Sequence, residues 1–328
     1  MKKKASEALA GGMPPSAVYA FVSLGRYELD CEIPMPAPTP PPPKNEESVP
    51  VQFPVCWGEE YRAAPNALFR SALFPALSNN EKENRRFVKK EEVFSVAGLT
   101  VVFTGQQFDQ SDLDIYLEIL NFAKHQNMGT VVKFTAYSML KALGLTNGYK
   151  NHEHLHDVII RLRGGTLEVT DHKKRYMGGF LEGIIRDEIT LEYEVIINPR
   201  FAVLFGFDMY SKLNIEKRRA LGKNNTAKAI YGYYATHINP AAHKFETLTS
   251  IAGLANTNKR QTKATIIKAH DAMKSVGILN DYTVIDDTIK AEIEPTASQQ
   301  RAITKKAEKK TAGTRRRKMT RVSDLLPH

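Results

Sequence analysis

The chain has 328 residues, which is long enough for two domains with extensions at both ends. Its formal net charge of +10 favours an anionic partner such as DNA. The two cysteines, Cys31 and Cys56, have neither zinc-ligand nor disulfide-framework spacing, so we expect no metal and no cofactor. Apolar runs stay shorter than the ~18 residues that cross a bilayer. The sequence therefore predicts a cytoplasmic protein without membrane contact.

Residues 1–60 are predicted to form a flexible, proline-rich arm. Residues 34–44 are mostly proline, which favours extended polyproline and cannot build a core. The apolar stretch 17–24 is separated from the first lysines by Glu7 and a glycine pair, so it makes a poor signal peptide. A partner-binding peptide within this arm is the alternative interpretation.

Residues 61–198 have the pattern of a winged-helix domain. Residues 112–126 carry apolar side chains at helical spacing, and a strand at 131–134 is followed by a short helix ending at Gly144. A second helix follows Asn147, and we expect Lys150 and Asn151 to open it onto DNA.

The wing of this first domain is predicted from the strands that follow. We expect strands at 166–170 and 180–186, a turn at 171–179 between them, and a further strand at 189–197. Lys173, Lys174 and Arg175 would then lie at the wing tip, where they would contact phosphates.

Residues 199–295 are predicted to form a second winged helix, with a main linking helix at 226–237. Residues 246–252 form a short helix, Gly253 permits a turn, and Asn256, Thr257 and Asn258 offer side chains that can cap the next helix. Alternating residues at 282–285 and 288–293 then predict a hairpin, which is the wing.

The last of these helices is the predicted recognition helix. At 100° per residue one stripe is apolar and is expected to be buried; its members are Thr262, Ile266, Ala269, Met273 and Val276. A second stripe, turned by about a right angle, is basic and is expected to meet the major groove. Its members are Lys259, Arg260, Lys263, Ile267, His270 and Lys274. Thr257 and Asn258, at the start of the helix, are predicted DNA contacts as well. An ordinary amphipathic helix with a solvated lysine face is the alternative.

Residues 296–328 are predicted to be a disordered basic tail. From residue 301 onward there are ten Lys or Arg against two acids, which gives 10 − 2 = +8. Such a tail suits sequence-independent phosphate contacts, each adding roughly 0.9 to the salt slope of binding. The predicted fold class is therefore α+β, with tandem winged-helix domains between disordered extensions.

A catalytic alternative rests on His154, His156 and Tyr176. Rolling-circle nickases hold a divalent metal with a histidine pair on a strand and use a tyrosine as nucleophile. Here the surrounding pattern predicts a helix, on which the two histidines diverge by about 160°. The sequence also has no GxxxxGK[ST] phosphate loop. We therefore expect a DNA-binding protein that is not an enzyme and has no catalytic residue.

Residues scattered over the middle of the chain match the pattern of a known family. They are Arg62, Pro65, Asn66, Arg70, Phe74, Phe103, Gly105, Leu117, Lys124, Arg161, Leu162, Leu204, Phe205, Tyr210, Leu213, Glu216, Arg219, Leu221, His237, Pro240, Lys244, Glu246 and Thr247. In these residues the chain resembles the TrfA family of plasmid replication initiators, which are related to RepE- and RepA-type iteron-binding initiators. The resemblance covers roughly residues 61–293.

The resemblance implies a function and a set of partners. Monomers would bind directly repeated origin sites, help to open the duplex, and recruit the host initiator and the replicative helicase, while dimers would be inactive or inhibitory. A sliding clamp is a further implied partner, for which the peptides at 52–57 and 322–326 are candidates. A winged-helix transcriptional repressor is the alternative function.

Overall fold

The computed structural model describes residues 3–32, 53, 57–96, 98–171, 174–208, 210–237, 239–254, 258–293 and 304. The proline-rich run, the basic tail and both candidate clamp peptides, apart from Phe53 and Trp57, lie outside the described residues. The chain divides into two compact units, Met1–Val49 and Pro50–His328. Within the described ranges, no helix has both the length and the apolar character needed to cross a bilayer.

The first unit contains a short helical pair. Its elements are β1 (Lys3–Lys4), α1 (Ala5–Ala10), α2 (Pro15–Ser23) and β2 (Tyr27–Glu28), with the two strands paired in parallel. Proline at the first position of α2 fits a helix start, and Ser6 donates its backbone N–H and its hydroxyl to Asp30 at 2.9 and 2.5 Å. The sequence predicts a flexible arm here, but these described residues form helices instead.

The second unit carries the two predicted halves. The elements of its first half are β3 (Tyr61–Pro65), α3 (Asn66–Phe69), α4 (Asn79–Glu83), β4 (Phe87–Val93), β5 (Thr100–Gln106), α5 (Gln110–Ala123), β6 (Val131–Thr135), α6 (Ala136–Leu143), α7 (Tyr149–Gly164), β7 (Thr166–Asp171), β8 (Lys174–Gly179), β9 (Leu181–Arg186) and β10 (Glu192–Ile197). Those that follow are a 3-10 helix (Pro199–Asp208), β11 (Tyr210–Asn214), α8 (Ile215–Ala220), α9 (Asn225–Ala235), β12 (His243–Lys244), α10 (Phe245–Ile251), α11 (Lys259–Ser275), β13 (Asp281–Ile285) and β14 (Thr288–Glu292).

One order of elements occurs twice in this unit. The series α5, β6, α6, α7, β9, β10 is matched by α9, β12, α10, α11, β13, β14. In both series the first strand pairs with the third, giving sheets ordered β6–β10–β9 and β12–β14–β13. This is the helix–strand–helix–helix–hairpin layout of a winged helix, so the prediction of an α+β fold with tandem winged helices is confirmed.

The prediction of the strands that form the wing of the first half is wrong. Residues 174–179 form β8, which pairs with β7 from Asp171 opposite Lys174 to Thr166 opposite Gly179. These two strands join β4 and β5 in a separate four-stranded sheet. The wing is the next hairpin, β9–β10. Period-2 alternation identifies strands but does not specify their partners, because pairing between distant strands is a tertiary property.

The core of the first half is built around α5. The apolar residues at helical spacing on this helix, Leu113, Tyr116, Leu117 and Leu120, are all buried, and aromatic rings surround them. Rings from distant segments meet at Phe180, whose centroid lies 4.8 Å from that of Tyr116. Burying side chains of this kind stabilises a fold by roughly 1.5–3 kcal/mol each.

Two segments outside the predicted boundaries also enter this core. Phe53 and Trp57, which the sequence analysis assigns to the flexible arm, are each only 6% exposed, and Trp57 donates its ring N–H to Asn121 at 3.2 Å. Phe201 and Leu213, predicted to belong to the second domain, are buried in the same cluster. Strand β11 pairs with β3. The core of the first half therefore continues past residue 198.

Candidate nucleic-acid interface

Helix α11 begins where the sequence predicts. The Asn258 side chain caps it by accepting the backbone N–H groups of Arg260 at 3.1 Å and Gln261 at 3.2 Å. This cap satisfies two donors that the first helical turn leaves without an intrahelical partner. Thr257, another predicted DNA contact, lies outside the described residues.

The inner face of α11 also agrees with the prediction. Thr262, Ile266, Ala269 and Met273 are buried, and Val276, just beyond the helix, is half-buried against the same cluster. These side chains pack on α9, α10 and the wing. The helix therefore has one fixed orientation, and the opposite face is turned outward.

The expectation that His270 belongs to the basic outer stripe is wrong. Its ring is fully buried, with Nδ1 2.8 Å from the Ile266 carbonyl and Nε2 2.8 Å from the Tyr234 hydroxyl. Because a carbonyl only accepts, Nδ1 carries the proton and Nε2 accepts from the tyrosine. Burial lowers the pKa of His270. The residue lies only 40° from Ile266 around the helix, at the edge of the buried stripe.

Two predicted DNA contacts hold the helix to its wing instead of pointing outward freely. Lys263 donates to the Asp286 carbonyl at 2.9 Å, and its ammonium lies 4.7 Å from the centre of the Phe245 ring. Lys274 pairs with Asp281 at 2.8 Å. Both lysines therefore connect α11 to the β13–β14 hairpin.

The side chains that face solvent are partly different from the predicted set. We define the outer face of α11 as Arg260, Gln261, Ala264 and Lys268, which are all exposed. Lys259 is exposed at its start, and Ile267 is half-buried at its edge. Three members of this face, Gln261, Ala264 and Lys268, do not belong to the predicted basic stripe. They could have been found, because Ala264 and Lys268 lie about 160° from Ile266, directly opposite the buried stripe.

The first turn of α11 has an unusual charge for its place on a helix. It contains Lys259 and Arg260 and no acid. The helix dipole disfavours cations at this end by roughly 0.3–1 kcal/mol each at low salt. The same end, with the positive end of the helix dipole and two cations, is well suited to an anion such as a phosphate.

The corresponding helix of the first half, α7, has a more mixed surface. Lys150 is exposed in its first turn. Asn151 donates its amide to the carbonyl and hydroxyl oxygens of Thr146, at 2.7 and 3.0 Å, so this side chain also secures the preceding loop. Glu153 and Asp157 are exposed on the same helix. The exposed surface of α7 is therefore less basic than that of α11.

Two of the remaining predicted phosphate contacts, Lys174 and Arg175, lie on strand β8 and not on a wing. Lys173 is outside the described residues, and Lys174 is the first residue of β8. Arg175 is exposed, donates to the Thr170 hydroxyl at 3.1 Å and lies 4.0 Å from Glu168. The structure thus separates this basic hairpin from the wing of its own domain.

The wing of the second half is acidic at its tip. Its two-residue turn is Asp286–Asp287, and Asp286 adopts a positive φ of 50°. Val284 and Ile285 are exposed beside this turn. Two carboxylates would repel the DNA backbone, so this tip is unfavourable for a phosphate contact.

The nickase arrangement is not assembled in the described residues. His154 and His156 lie on helix α7, as the apolar spacing predicts, and His156 approaches the Tyr193 hydroxyl at 3.2 Å. Tyr176 is 5% exposed and donates its hydroxyl to the Gly179 carbonyl at 2.8 Å. No group of three or more potential metal ligands occurs among the described residues. Tyr176 is therefore not placed to act as a nucleophile.

Comparison with known proteins assigns the family. The sequence model of the family described as TrfA protein matches residues 51–292, which is most of the second unit. The chain belongs to the TrfA family. The plasmid replication initiator protein TrfA of Escherichia coli is 25% identical over 244 residues, covering 71% of this chain and 62% of that protein. This chain therefore spans less than two thirds of the length of its relative.

Two solved structures are similar to this TrfA-family chain at low identity. Domain 2 and domain 3 of RctB are 13% identical, with a TM-score of 0.47, over 70% of this chain and 99% of that one. The Pi initiator protein in complex with iteron DNA is 9% identical, with a TM-score of 0.43, over 61% of this chain and 99% of that one. At this distance neither neighbour adds residue-level detail to the interface.

Proposed function

We propose that this protein initiates plasmid replication by binding directly repeated origin sites, or iterons, as a monomer through both winged helices. Membership of the TrfA family supports the proposal. The observation that carries it is the first turn of α11, which places Lys259 and Arg260 and no acid at the positive end of the helix dipole.

The side chains of the outer face of α11 suit the reading of bases. Arg260 can bond two acceptors of guanine in the major groove, and Gln261 can bond adenine in the same bidentate way. Ala264 and Ile267 offer methyl groups to thymine. Lys268 lies farther along the exposed surface, where a phosphate contact would add affinity without sequence preference.

The first winged helix would read its part of the site differently. Lys150 would contact a phosphate at the start of α7. The exposed carboxylates of Glu153 and Asp157 can accept a hydrogen bond from the amino group of cytosine. Because acids oppose the phosphate backbone, this half would contribute base preference more than overall affinity.

Duplex opening would depend on binding energy and recruited partners. The sequence contains no phosphate-binding GxxxxGK[ST] loop, so we propose that the protein acts without catalysis. Bending or unstacking DNA costs a few kcal/mol, which several adjacent monomers can supply. By family membership we further propose that the host initiator, the replicative helicase and a sliding clamp are partners, that monomers and dimers interconvert, and that the protein acts in the bacterial cytoplasm.

The test is selection of bound fragments from the protein's own plasmid at physiological salt. We expect one enriched motif, present as direct repeats in an AT-rich region. A single inverted repeat beside a promoter would instead indicate a repressor. Origin activity is measured in parallel with a plasmid that lacks its own initiator gene; failure to support replication would contradict the proposal even if a motif were found.

A further inference from the structure

Helix α8 lies between the two winged helices and carries three consecutive basic residues. Lys217, Arg218 and Arg219 each reach a different part of the molecule. Charged side chains held by specific partners fix the geometry of the elements that they join. The contacts of α8 therefore bear on how the two recognition helices are placed.

Arg218 joins the equivalent first helices of the two domains. It is 1% exposed, donates to Asp114 of α5 at 2.5 Å and to Gln110 at 2.9 Å, and bonds the Lys228 carbonyl of α9 at 3.0 Å. The Lys228 ammonium completes the cluster by donating to Asp114 at 2.8 Å. The half-buried Asp114 carboxylate, shared by two cations from different segments, ties α5, α8 and α9 together.

Arg219 attaches the same helix to the first winged helix. It donates to the Ala142 carbonyl at the end of α6 and lies 3.3 Å from Glu118 of α5. Glu118 also accepts from Arg62 at 2.9 Å and is fully buried. Helix α8 is thus anchored to the first half through two separate arginines.

Lys217 connects this anchored helix to the far end of the recognition helix α11. Its ammonium donates to the Gly277 carbonyl, two residues past the end of α11. A cation is favourable there, because the C-terminal end of a helix carries the negative end of the dipole. The C-terminal end of α11 is therefore held from the first half by way of α8.

The other end of α11 is held by the first half directly. The Ala76 N–H donates to the Ala252 carbonyl at 2.8 Å, in the turn that precedes α11. Gly253 follows with a φ of +63°, and a Cβ placed on it would lie 2.4 Å from the Cβ of Pro75. The turn is therefore seated so closely on residues 75–76 that a side chain does not fit.

We name these two contacts the α11 brace and define it as Pro75 and Ala76 at one end of α11 and Lys217 at the other. We propose that the α11 brace fixes the distance and angle between α7 and α11. The inference rests on the proposed function. It makes Pro75, Lys217 and Gly253 positioning residues for a bipartite DNA site, which the protein reads with one spacing between its two parts.

The first experiment measures binding to the selected site and to versions with one base pair inserted between its parts. The insertion shifts one part by about 3.4 Å and rotates it by about 34°. A braced wild-type protein should lose about tenfold or more in affinity, because it can no longer engage both parts together. Equal affinity for both spacings would refute the brace while leaving site recognition intact.

The second experiment uses Gly253→Ala with Gly222→Ala as its matched control. Both glycines have left-handed backbones, but around Gly222 no described atom lies within 4 Å of an added Cβ. Gly253→Ala should weaken binding to the native spacing by about tenfold or more and leave the α11 part of the site, tested alone, unchanged. Gly222→Ala should change neither. Adding Pro75→Gly to the Gly253→Ala protein removes the opposing Cβ. This second change should restore the affinity for the native spacing.

Lys217→Met tests the other end without introducing a clash, and Lys223→Met controls for loss of an exposed positive charge nearby. We expect Lys217→Met to reduce the discrimination between the two spacings, and Lys223→Met to preserve it.

If Gly253→Ala weakened the isolated α11 part as much as the full site, the turn would act only within its own domain, contrary to the inference. If the wild-type protein selected no motif at all, the proposed function would fail first.

Discussion

The Tyr234 hydroxyl donates a 2.8 Å hydrogen bond to Nε2 of His270, directly behind the outer face of α11. The other ring nitrogen of His270 donates to the Ile266 carbonyl at the same distance. Both nitrogens are therefore satisfied in the neutral imidazole, and burial opposes its protonation. The recognition helix thus rests on a histidine that opposes protonation.

We predict that protonation of His270 destabilises the second winged helix in mild acid. Burial lowers the pKa of His270, and also that of His237 and His243 in the same region. Below about pH 6.5 these histidines bind more protons in the unfolded chain than in the folded protein. The free energy of unfolding therefore decreases as the pH is lowered. Asp112 acts in the opposite direction, because burial and the neighbouring Asp109 raise its pKa to about 6 and its proton stabilises the fold below that value.

The contribution of His270 is isolated by comparing variants. Urea unfolding followed by circular dichroism from pH 8 to pH 5 should show a smaller loss of stability in His270→Gln than in the wild type. The exposed His125, changed to Gln, serves as the matched control and should follow the wild-type profile. Parallel profiles for His270→Gln and the wild type would show that another group titrates.

A second prediction separates base reading from phosphate binding on α11. Arg260→Ala should cost about 1–3 kcal/mol on the selected site and relax the preference at one base position. Lys268→Ala should weaken all sequences alike and lower the salt slope by about 0.9. Binding isotherms on the selected site, single-base variants and a scrambled duplex distinguish the two. A base-specific effect of Lys268→Ala would reverse our assignment.

The acidic tip of the second wing leads to a third prediction. Asp286→Asn combined with Asp287→Asn should raise affinity for every DNA sequence and steepen the salt dependence, because two charges that repel phosphates are removed. Asparagine tolerates the positive φ of Asp286, so the turn should survive the change. Glu83→Gln removes an exposed acid in the first half and controls for net charge. An unchanged affinity would place this wing away from the DNA.

The sequence predicts the helices of this protein better than their surroundings. The buried stripe of α11 follows from local periodicity, and so does the Asn258 cap, because both depend on residues within a few positions of each other. The predicted outer face of α11 agrees less well with the structure than the predicted buried stripe does. His270 looked basic and exposed, although its 40° offset from Ile266 places it against the buried Tyr234.

Contacts between residues that lie far apart in the sequence account for most of the remaining differences between the predicted and the observed structure. Lys263 and Lys274 have the composition of DNA contacts, yet the wing that binds them lies many residues away. Strand β8 was expected to be a turn because its partner β7 and the neighbouring β5 belong to a sheet that no local pattern specifies. Arg62 and Arg219, on which the family resemblance partly rests, are bound to the same buried carboxylate and serve the scaffold.

A last prediction concerns the pair that fixes α7 on α5. Arg161 of α7 donates to both carboxylate oxygens of the buried Asp112, at 3.1 and 3.0 Å, while Arg85 approaches the same group at 3.4 Å. Removing Arg161 leaves a buried charge with only a weaker partner, which typically costs about 3–5 kcal/mol. The neighbouring exposed Arg163, changed to Ala, is the matched control and should stay within about 0.5 kcal/mol.

The pH dependence of this loss checks its cause. Without Arg161 the pKa of Asp112 rises further above its raised value of about 6, so in mild acid the carboxyl is neutral in the folded protein and the penalty shrinks. Urea unfolding of Arg161→Ala should therefore show a larger loss of stability at pH 8 than at pH 5. Trp57, in the core of the first half, provides a fluorescence signal for the domain that contains the pair. A loss independent of pH would attribute the effect to lost packing of the arginine stem.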